Sequence, residues 1–214
     1  MSVWLTRLLR LRAIAQTGQT YTKDPFDRQR FDELAQLVDG MLSDLVDAPP
    51  VKITEAFDFD TGYPTPKVDI RAGVFQNGRV LLVREKADGC WSLPGGWADQ
   101  TDAASQAAER ETEEEAGCKV TAVKLVAVKD RNRHPYANPM LQGVYKMLFL
   151  CDLTQPPPTE LRKLIAERDD SEIAEADFFG LDDLPELSRG RTLPADIELL
   201  DLHNRNRELP TSFD

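Results

Sequence analysis

The segment Arg110–Cys118 reads RETEEEAGC, and Glu111, Glu113, Glu114 and Glu115 place four carboxylates within five residues. The 214-residue chain already carries a formal charge of −11, so this concentration of acid needs a reason. On a helix turning about 100° per residue, Glu111, Glu114 and Glu115 share one arc of about 100°, and Glu113 points away. The same face holds Ala104, Ala107 and Ala108, while Ser105, Gln106, Glu109 and Glu113 form an entirely polar opposite face. The three carboxylates therefore continue the side available for packing. Anions placed there repel one another and lose hydration unless cations compensate them. Arg110, four residues before Glu114, is the one base within the cluster and leaves negative charge in surplus. A hard divalent cation such as Mg²⁺ resolves this, because it takes carboxylate oxygens, retained waters and substrate phosphates. The plain alternative is a solvated acidic helix in an unrelated α+β protein.

The residues before the helix separate these readings. From Gly96 the chain runs GWADQTDAASQAAERETEEEAGC. This resembles the Nudix box: a glycine, five residues, an acid, seven residues, Arg-Glu, an apolar position, any residue, Glu-Glu, any residue, glycine and an apolar position. Gly96, Asp102, Arg110, Glu111, Glu114, Glu115, Gly117 and Cys118 occupy those places. Two positions depart from the pattern: Asp102 stands where the family has Glu, and Thr112 fills an apolar slot. Asp102 also suits the start of the helix as a cap. The likeness extends to GYPTPKVDIRAGVF, to LLVREKADGCWSLPGGWAD and to the helical front AIAQTGQTYTKDPFDRQRF. It points to a Nudix subgroup with its own N-terminal helical domain, which includes enzymes acting on ADP-ribose and on CDP-choline.

The elements that must position these residues follow from pattern. A first helix is expected from about Val3 to Thr17, with Trp4, Leu8, Leu11 and Ala15 as its stripe and Gly18 as its stop. A second starts at Asp24-Pro25, an acceptor side chain followed by proline at the first helical position. Its apolar face is Phe31, Leu34, Val38, Met41, Leu42 and Leu45. Two such helices cannot bury both stripes against each other alone, so they are expected to serve assembly, with residues 1–47 as a dimerisation domain. Residues 48–66, rich in proline, read as a linker. Residues 67–214 are, by the resemblance, the expected Nudix domain, and its first strands flank Gln76-Asn77-Gly78, a hairpin turn by composition. A short strand in CWSLPGGW, the acidic helix Ala103–Ala116, strands over 119–130, 144–153 and 172–181, a short helix after PPPTE and a closing helix Ala195–Arg207 complete the order. The class is α+β, with an all-helical front end. The resemblance implies an α/β/α sandwich around a mixed sheet.

Composition narrows the partners. The acidic balance argues against a nucleic-acid binder, since phosphate backbones are captured by Lys/Arg-rich surfaces. No apolar run approaches the roughly 20 residues that span a bilayer. Cys90, Cys118 and Cys151 are too scattered for a disulfide framework, which reads as a reducing, cytoplasmic setting. The first 23 residues carry three arginines and no acid, as a transit peptide also does, but the family likeness covers them.

What the resemblance implies for chemistry is hydrolysis of a nucleoside diphosphate linked to another group, assisted by Mg²⁺ or Mn²⁺. Glu111, Glu114 and Glu115 would be metal ligands, Gly96 could add its carbonyl, and Arg110 would orient the carboxylates. The general base is either a box glutamate or an acid of the later loop RDDSEIAEADFF; of Asp170, Glu172 and Glu175 there, Glu172 is favoured. Arg131, Arg133 and His134 lie in one loop and are candidates for phosphate or base contact. Trp97 and Tyr136 could stack on a nucleobase. The rival of another class is a Nudix-fold binding module without catalysis, against which the intact glutamate triad speaks.

Overall fold

The computed structural model describes residues 3–47, 49–58, 61–138, 140–159, 161–166 and 172–214. It divides into two compact units: 1–67 with 139–143, and 68–138 with 144–214.

The first unit is helical. Helix α1 spans Val3–Tyr21 and α2 spans Pro25–Val46. The α2 start is the expected one: Asp24 accepts the backbone N–H groups of Phe26 and Asp27 at 2.8 and 3.0 Å. Helix α1, however, does not stop at Gly18. A Cβ there would stand 2.4 Å from the Phe31 ring, so this glycine is required by close packing within the helix. The buried stripe of α1 is Leu5, Leu8, Arg12 and Ala15, whereas Trp4 and Leu11 are exposed. On α2, Val38 and Leu42 are buried as expected, but Met41 and Leu45 are exposed. The segment read as a linker holds a third helix, α3, Pro50–Asp58. Its Ile53 is buried with Leu5, Leu8, Val38 and Leu42, and Phe57 packs beside them. Two apolar residues four apart gave this proline-flanked stretch a face to bury. Leu141, from the distant 139–143 segment, joins the same cluster.

The second unit is built on a seven-stranded mixed sheet ordered β3-β2-β1-β5-β4-β7, with β6 paired to β2. Its strands are β1 Lys67–Gln76, β2 Arg79–Glu85, β3 Trp91–Ser92, β4 Val120–Asp130, β5 Val144–Leu153, β6 Ile173–Gly180 and β7 Ser212–Phe213. Asn77 and Gly78 take positive φ of 51° and 74° and close the expected hairpin, setting Gln76 opposite Arg79. Alternation along β2 feeds both faces of the sheet. Leu81 and Val83 join Ala107 and Ala108 of α4 (Ala104–Ala116) and Ile165 of α5 (Leu161–Ala166). Val80 and Leu82 join Ile197 and Leu200 of α6 (Pro194–Arg205). Helices thus cover both faces, as the α/β/α reading required. The two-residue β7, parallel to β4, was not anticipated; it is too short to show a period.

Two glycine substitutions should have opposite signs. Gly40→Ala in α2 meets nothing within 4 Å and is expected to stabilise by about 0.5–1 kcal/mol through helix propensity. Gly18→Ala must displace Phe31 and should destabilise by about 1–3 kcal/mol. Chemical denaturation of both variants checks the pair.

Candidate active site

Helix α4 delivers the carboxylates through a packed small-residue face. Ala107, Ala108, Thr112 and Ala116 are buried against the sheet. Thr112, the departure from the apolar slot, donates its hydroxyl to the Ala108 carbonyl at 2.7 Å, so its polarity is satisfied within the helix. Asp102 is not the helix cap. The N-terminal boundary falls at Ala103, and Asp102 instead accepts Arg110 Nε at 3.0 Å. Glu109, expected on a purely solvated face, accepts the Ala122 N–H at 2.8 Å and ties α4 to β4.

Arg110 gathers four acids: Asp99 at 3.4 Å, Asp102 at 3.0 Å, Glu111 at 2.9 Å and Glu114 at 2.8 Å. The bond that Arg110 donates to Asp102 leads in raising the guanidinium pKa, with Glu111 and Glu114 adding to it. Glu115 turns the other way and accepts the Gly95 N–H at 2.9 Å. Among the described residues, therefore, no three acidic or thiol or imidazole groups converge as a closed ligand shell. Glu114 is largely exposed, while Glu111 is mostly covered.

The Gly95-Gly96 pair lies along β1. Gly96 O accepts Ile70 N–H at 2.8 Å and keeps its second lone pair. At Gly95, φ is 128° and a Cβ would strike the Ile70 carbonyl at 2.1 Å, so only glycine fits. At Gly96 a Cβ would stand 3.8 Å from Glu111 Oε2, which keeps the space before that carboxylate clear. Hard oxygen donors facing a side-chain-free backbone fit a divalent cation of the Mg²⁺ type.

Beneath this lies a cluster that spacing did not reveal. Asp69 and Arg71 of β1 and Lys146 of β5 are buried together. Arg71 Nε and Lys146 Nζ bond the same Asp69 oxygen at 2.8 and 3.0 Å, and Arg71 also reaches the Leu93 carbonyl at 3.1 Å. Burial alone would raise the Asp69 carboxyl, but the two cations hold it below the ordinary range. Burial pushes Lys146 down to about 8, with Arg71 pushing the same way. Arg71 also acts on Glu115. Loss of water, with Glu111 and Glu85 adding to it, raises that carboxyl to about 7 against the pull of Arg71 and the Gly95 N–H. Glu85, at the end of β2, belongs to the same electrostatic neighbourhood. Burial raises its carboxyl against Arg191 and Arg71, and Arg191 pairs with it at 2.6 Å.

The remaining candidates are placed as follows. Glu172 is exposed, one residue before β6, and its charge acts on Glu85. Glu175 pairs with Arg84. Asp170 lies outside the described residues. Trp97 is about half exposed and bridges to Asp69 along β1. Arg131 is buried and donates to the carbonyls of Ala137, Asn138 and Gly190, which gives it a structural load. Tyr136 is buried and donates to Asp196 at 2.7 Å, so its ring packs inside. Arg133 pairs with Asp130 at 3.4 Å, and His134 with Asp214 at 3.0 Å. Within this loop Arg131 is thus tied to backbone carbonyls, whereas Arg133 stays largely exposed and His134 partly so. The missed residues Asp69, Arg71 and Lys146 alternate along buried strands, where the only sequence signal was charge at a core position.

Comparison with known proteins places the chain in a family. Residues 66–201 match the NUDIX domain, and residues 2–57 match the UDP-X-like, N-terminal oligomerisation domain. The chain belongs to the Nudix hydrolase family. It is 36% identical over 211 residues to YjhB of Bacillus subtilis (strain 168), whose name gives it provisionally as an ADP-ribose pyrophosphatase; 99% of this chain and 97% of that one are covered. A crystal structure of an ADP-ribose pyrophosphatase from Streptococcus suis 89-1591 is 37% identical with a TM-score of 0.59, covering 70% of this chain and all of that one. A UDP-X diphosphatase crystal structure is 32% identical with a TM-score of 0.60, covering 98% and 97%. Among the described residues no helix is long and apolar enough to cross a membrane.

The shared Asp69 makes an asymmetric prediction within this Nudix unit. Asp69→Leu strands two buried cations and should cost about 3–5 kcal/mol or prevent folding, whereas Lys146→Met leaves the Arg71 pair intact and should cost far less. Lys146 is depressed from 10.5 to about 8 in the folded state. Between those values the unfolded chain binds more protons, so the stability that Lys146 contributes rises with pH and is lost as pH falls through about 8. Urea titrations of wild type and Lys146→Met from pH 8 to 10.5 should show the difference moving in favour of the wild type.

Proposed function

We propose that this Nudix hydrolase cleaves the diphosphate of a nucleoside diphosphate linked to a second group. Water adds to one phosphorus, the P–O–P bridge breaks, and a nucleoside monophosphate leaves with a phosphorylated partner. The observation that carries the reading is the placement of Glu111 and Glu115 against the Gly95-Gly96 backbone, with Arg71 fixed behind them. A divalent cation, Mg²⁺ or Mn²⁺, held by Glu111, Glu114, Glu115 and the Gly96 carbonyl would neutralise the diphosphate and activate water. Arg110 orients Glu111 and Glu114, and Glu172 takes the proton of the attacking water. Trp97, exposed beside Gly96, is the stacking surface for the base.

ADP-ribose is the substrate that the names of two relatives support, with CDP-choline as the other family choice; a UDP-linked conjugate is supported by the UDP-X diphosphatase likeness along the whole chain. The N-terminal match to an oligomerisation domain, together with exposed Trp4, Leu37, Met41 and Leu45, supports a homodimer. Three free cysteines, two of them buried, support a reducing, cytoplasmic setting.

A screen of these conjugates with Mg²⁺ or Mn²⁺ tests the activity. Hydrolysis should stop with EDTA, and turnover in metal-free buffer would refute the metal role. Glu114→Gln and Glu115→Gln should each lower turnover by about a hundredfold or more. Their metal-free melting temperatures should match or exceed the wild type, because one of several crowded anions is removed. Near-normal activity in both variants would mean that the box keeps the family's spacing without its chemistry, and no turnover of any conjugate by the wild type would favour a binding module instead. Deletion of residues 1–47 should leave monomers or aggregates, read by sedimentation.

A further inference from the structure

Arg12 is out of place as a purely structural residue. It is nine-tenths buried in the helical unit, in the stripe of α1 where an apolar residue would pack. Its Nε bonds Asp39 of α2 at 2.8 Å, and its guanidinium lies 4.7 Å from the centre of the Phe57 ring on α3. A buried ion pair gives little net stability compared with apolar packing, so a small helical unit has no energetic need of one. The pair also uses the guanidinium incompletely. Among the described residues the Arg12 bond to Asp39 runs through Nε, and neither terminal nitrogen has a hydrogen-bond partner. A bidentate structural pair would have spent them.

Arg12 also lines a cavity of about 350 Å³ within the same unit, together with Gln16, Gln19, Arg28, Asp32 and Phe57, among others. Arg28 gives one nitrogen to the Gln19 carbonyl at 2.8 Å and is exposed, so its other donors remain available. The lining acid, Asp32, is already held by Gln19 Nε2 at 2.9 Å. The buried Gln16 gives its amide to the Gly62 carbonyl at 3.2 Å, which fixes the rim of the cavity. Two arginines from different helices thus line one cavity, one buried and ion-paired, the other exposed. Their planar donor pairs match phosphate oxygens. The volume exceeds that of a bare phosphate and lies at the lower end of small-molecule sites.

We propose that the N-terminal helical unit carries its own phosphomonoester site, with Arg12 and Arg28 as the anion clamp and a ligand about the size of a nucleoside monophosphate. The site is separate from the α4 carboxylates and requires no metal. Asp32 and Gln19 then stand where the hydroxyl-bearing body of the ligand would lie, rather than its phosphate.

Equilibrium dialysis of the full chain in EDTA tests this, with labelled inorganic phosphate and labelled AMP as separate probes. One saturable equivalent of AMP per chain is expected in wild type and in Glu115→Gln, with inorganic phosphate binding more weakly and displacing it. Arg28→Glu should weaken AMP by at least about tenfold, since a charge-assisted contact becomes a repulsion. Arg12→Gln should abolish binding; if it fails to melt cooperatively, the exposed Arg28 carries the test alone. Absence of saturable binding or full affinity in Arg28→Glu overturns the site. Loss of binding in Glu115→Gln overturns it too, by placing the ligand at α4. AMP binding no tighter than phosphate overturns the assigned ligand size. Because no metal or turnover enters the measurement, absence of binding leaves the hydrolase reading untouched, whereas loss in Glu115→Gln moves the ligand to the site on which that reading rests.

Discussion

A carboxylate that loses water beside two others stays in place only if fixed positive charge lies near it. In this protein that charge is Arg71, and Arg71 in turn depends on Asp69. The arginine is buried in β1, two residues from its partner on the same face of the strand, and Lys146 from β5 closes on the same oxygen. Two cations against one anion leave a net positive charge under the site, directed at Glu115 and Glu85. Remove that balance and the strand, the glycine turn and the carboxylate helix lose a common anchor, because Arg71 also holds the Leu93 carbonyl ahead of Pro94-Gly95-Gly96.

The glycine pair converts this anchor into a site. Positive φ and the close approach to Ile70 leave no freedom at Gly95, whose N–H then fixes Glu115. On the opposite side Arg110 collects Asp99, Asp102, Glu111 and Glu114. The helix face is therefore divided between a buried arginine acting on Glu115 and a partly exposed one acting on Glu111 and Glu114. Such a division keeps three crowded anions in distinct positions without neutralising all of them, as the proposed cation site needs. The segment between β6 and α6 joins the same system through Arg191, which pairs with Glu85 and Asp88 across the β2–β3 turn.

The helical unit shows how far apolar periodicity can mislead at close range. Its stripes predicted two helices correctly, with Leu8 and Ala15 buried as read, but Leu5 and Arg12 replace Trp4 and Leu11 in the core, the arginine lying opposite Asp39. Gly18 read as a stop by its usual conformational preference, whereas here its missing side chain admits a ring. In both cases a neighbour distant in sequence overrode a local signal.

What the sequence determined by itself was whatever depends on fixed spacing along one element. The box from Gly96 to Cys118, the shared face of Glu111, Glu114 and Glu115, the Asp24 cap and the Asn77-Gly78 turn are all local, and helix period or turn chemistry suffices to place them. Tertiary structure alone decided which charges meet. Asp69 and Lys146 are 77 residues apart, and the pairs of Arg191 with Glu85 and of Asp196 with Tyr136 and Lys129 likewise join separate elements. The helix α3, hidden in a proline-rich stretch, and the short β7 form only because other elements offer them a partner. Charge in a strand core is unreadable from spacing, since a strand shows which face a residue takes but not what the neighbouring strand sets opposite it.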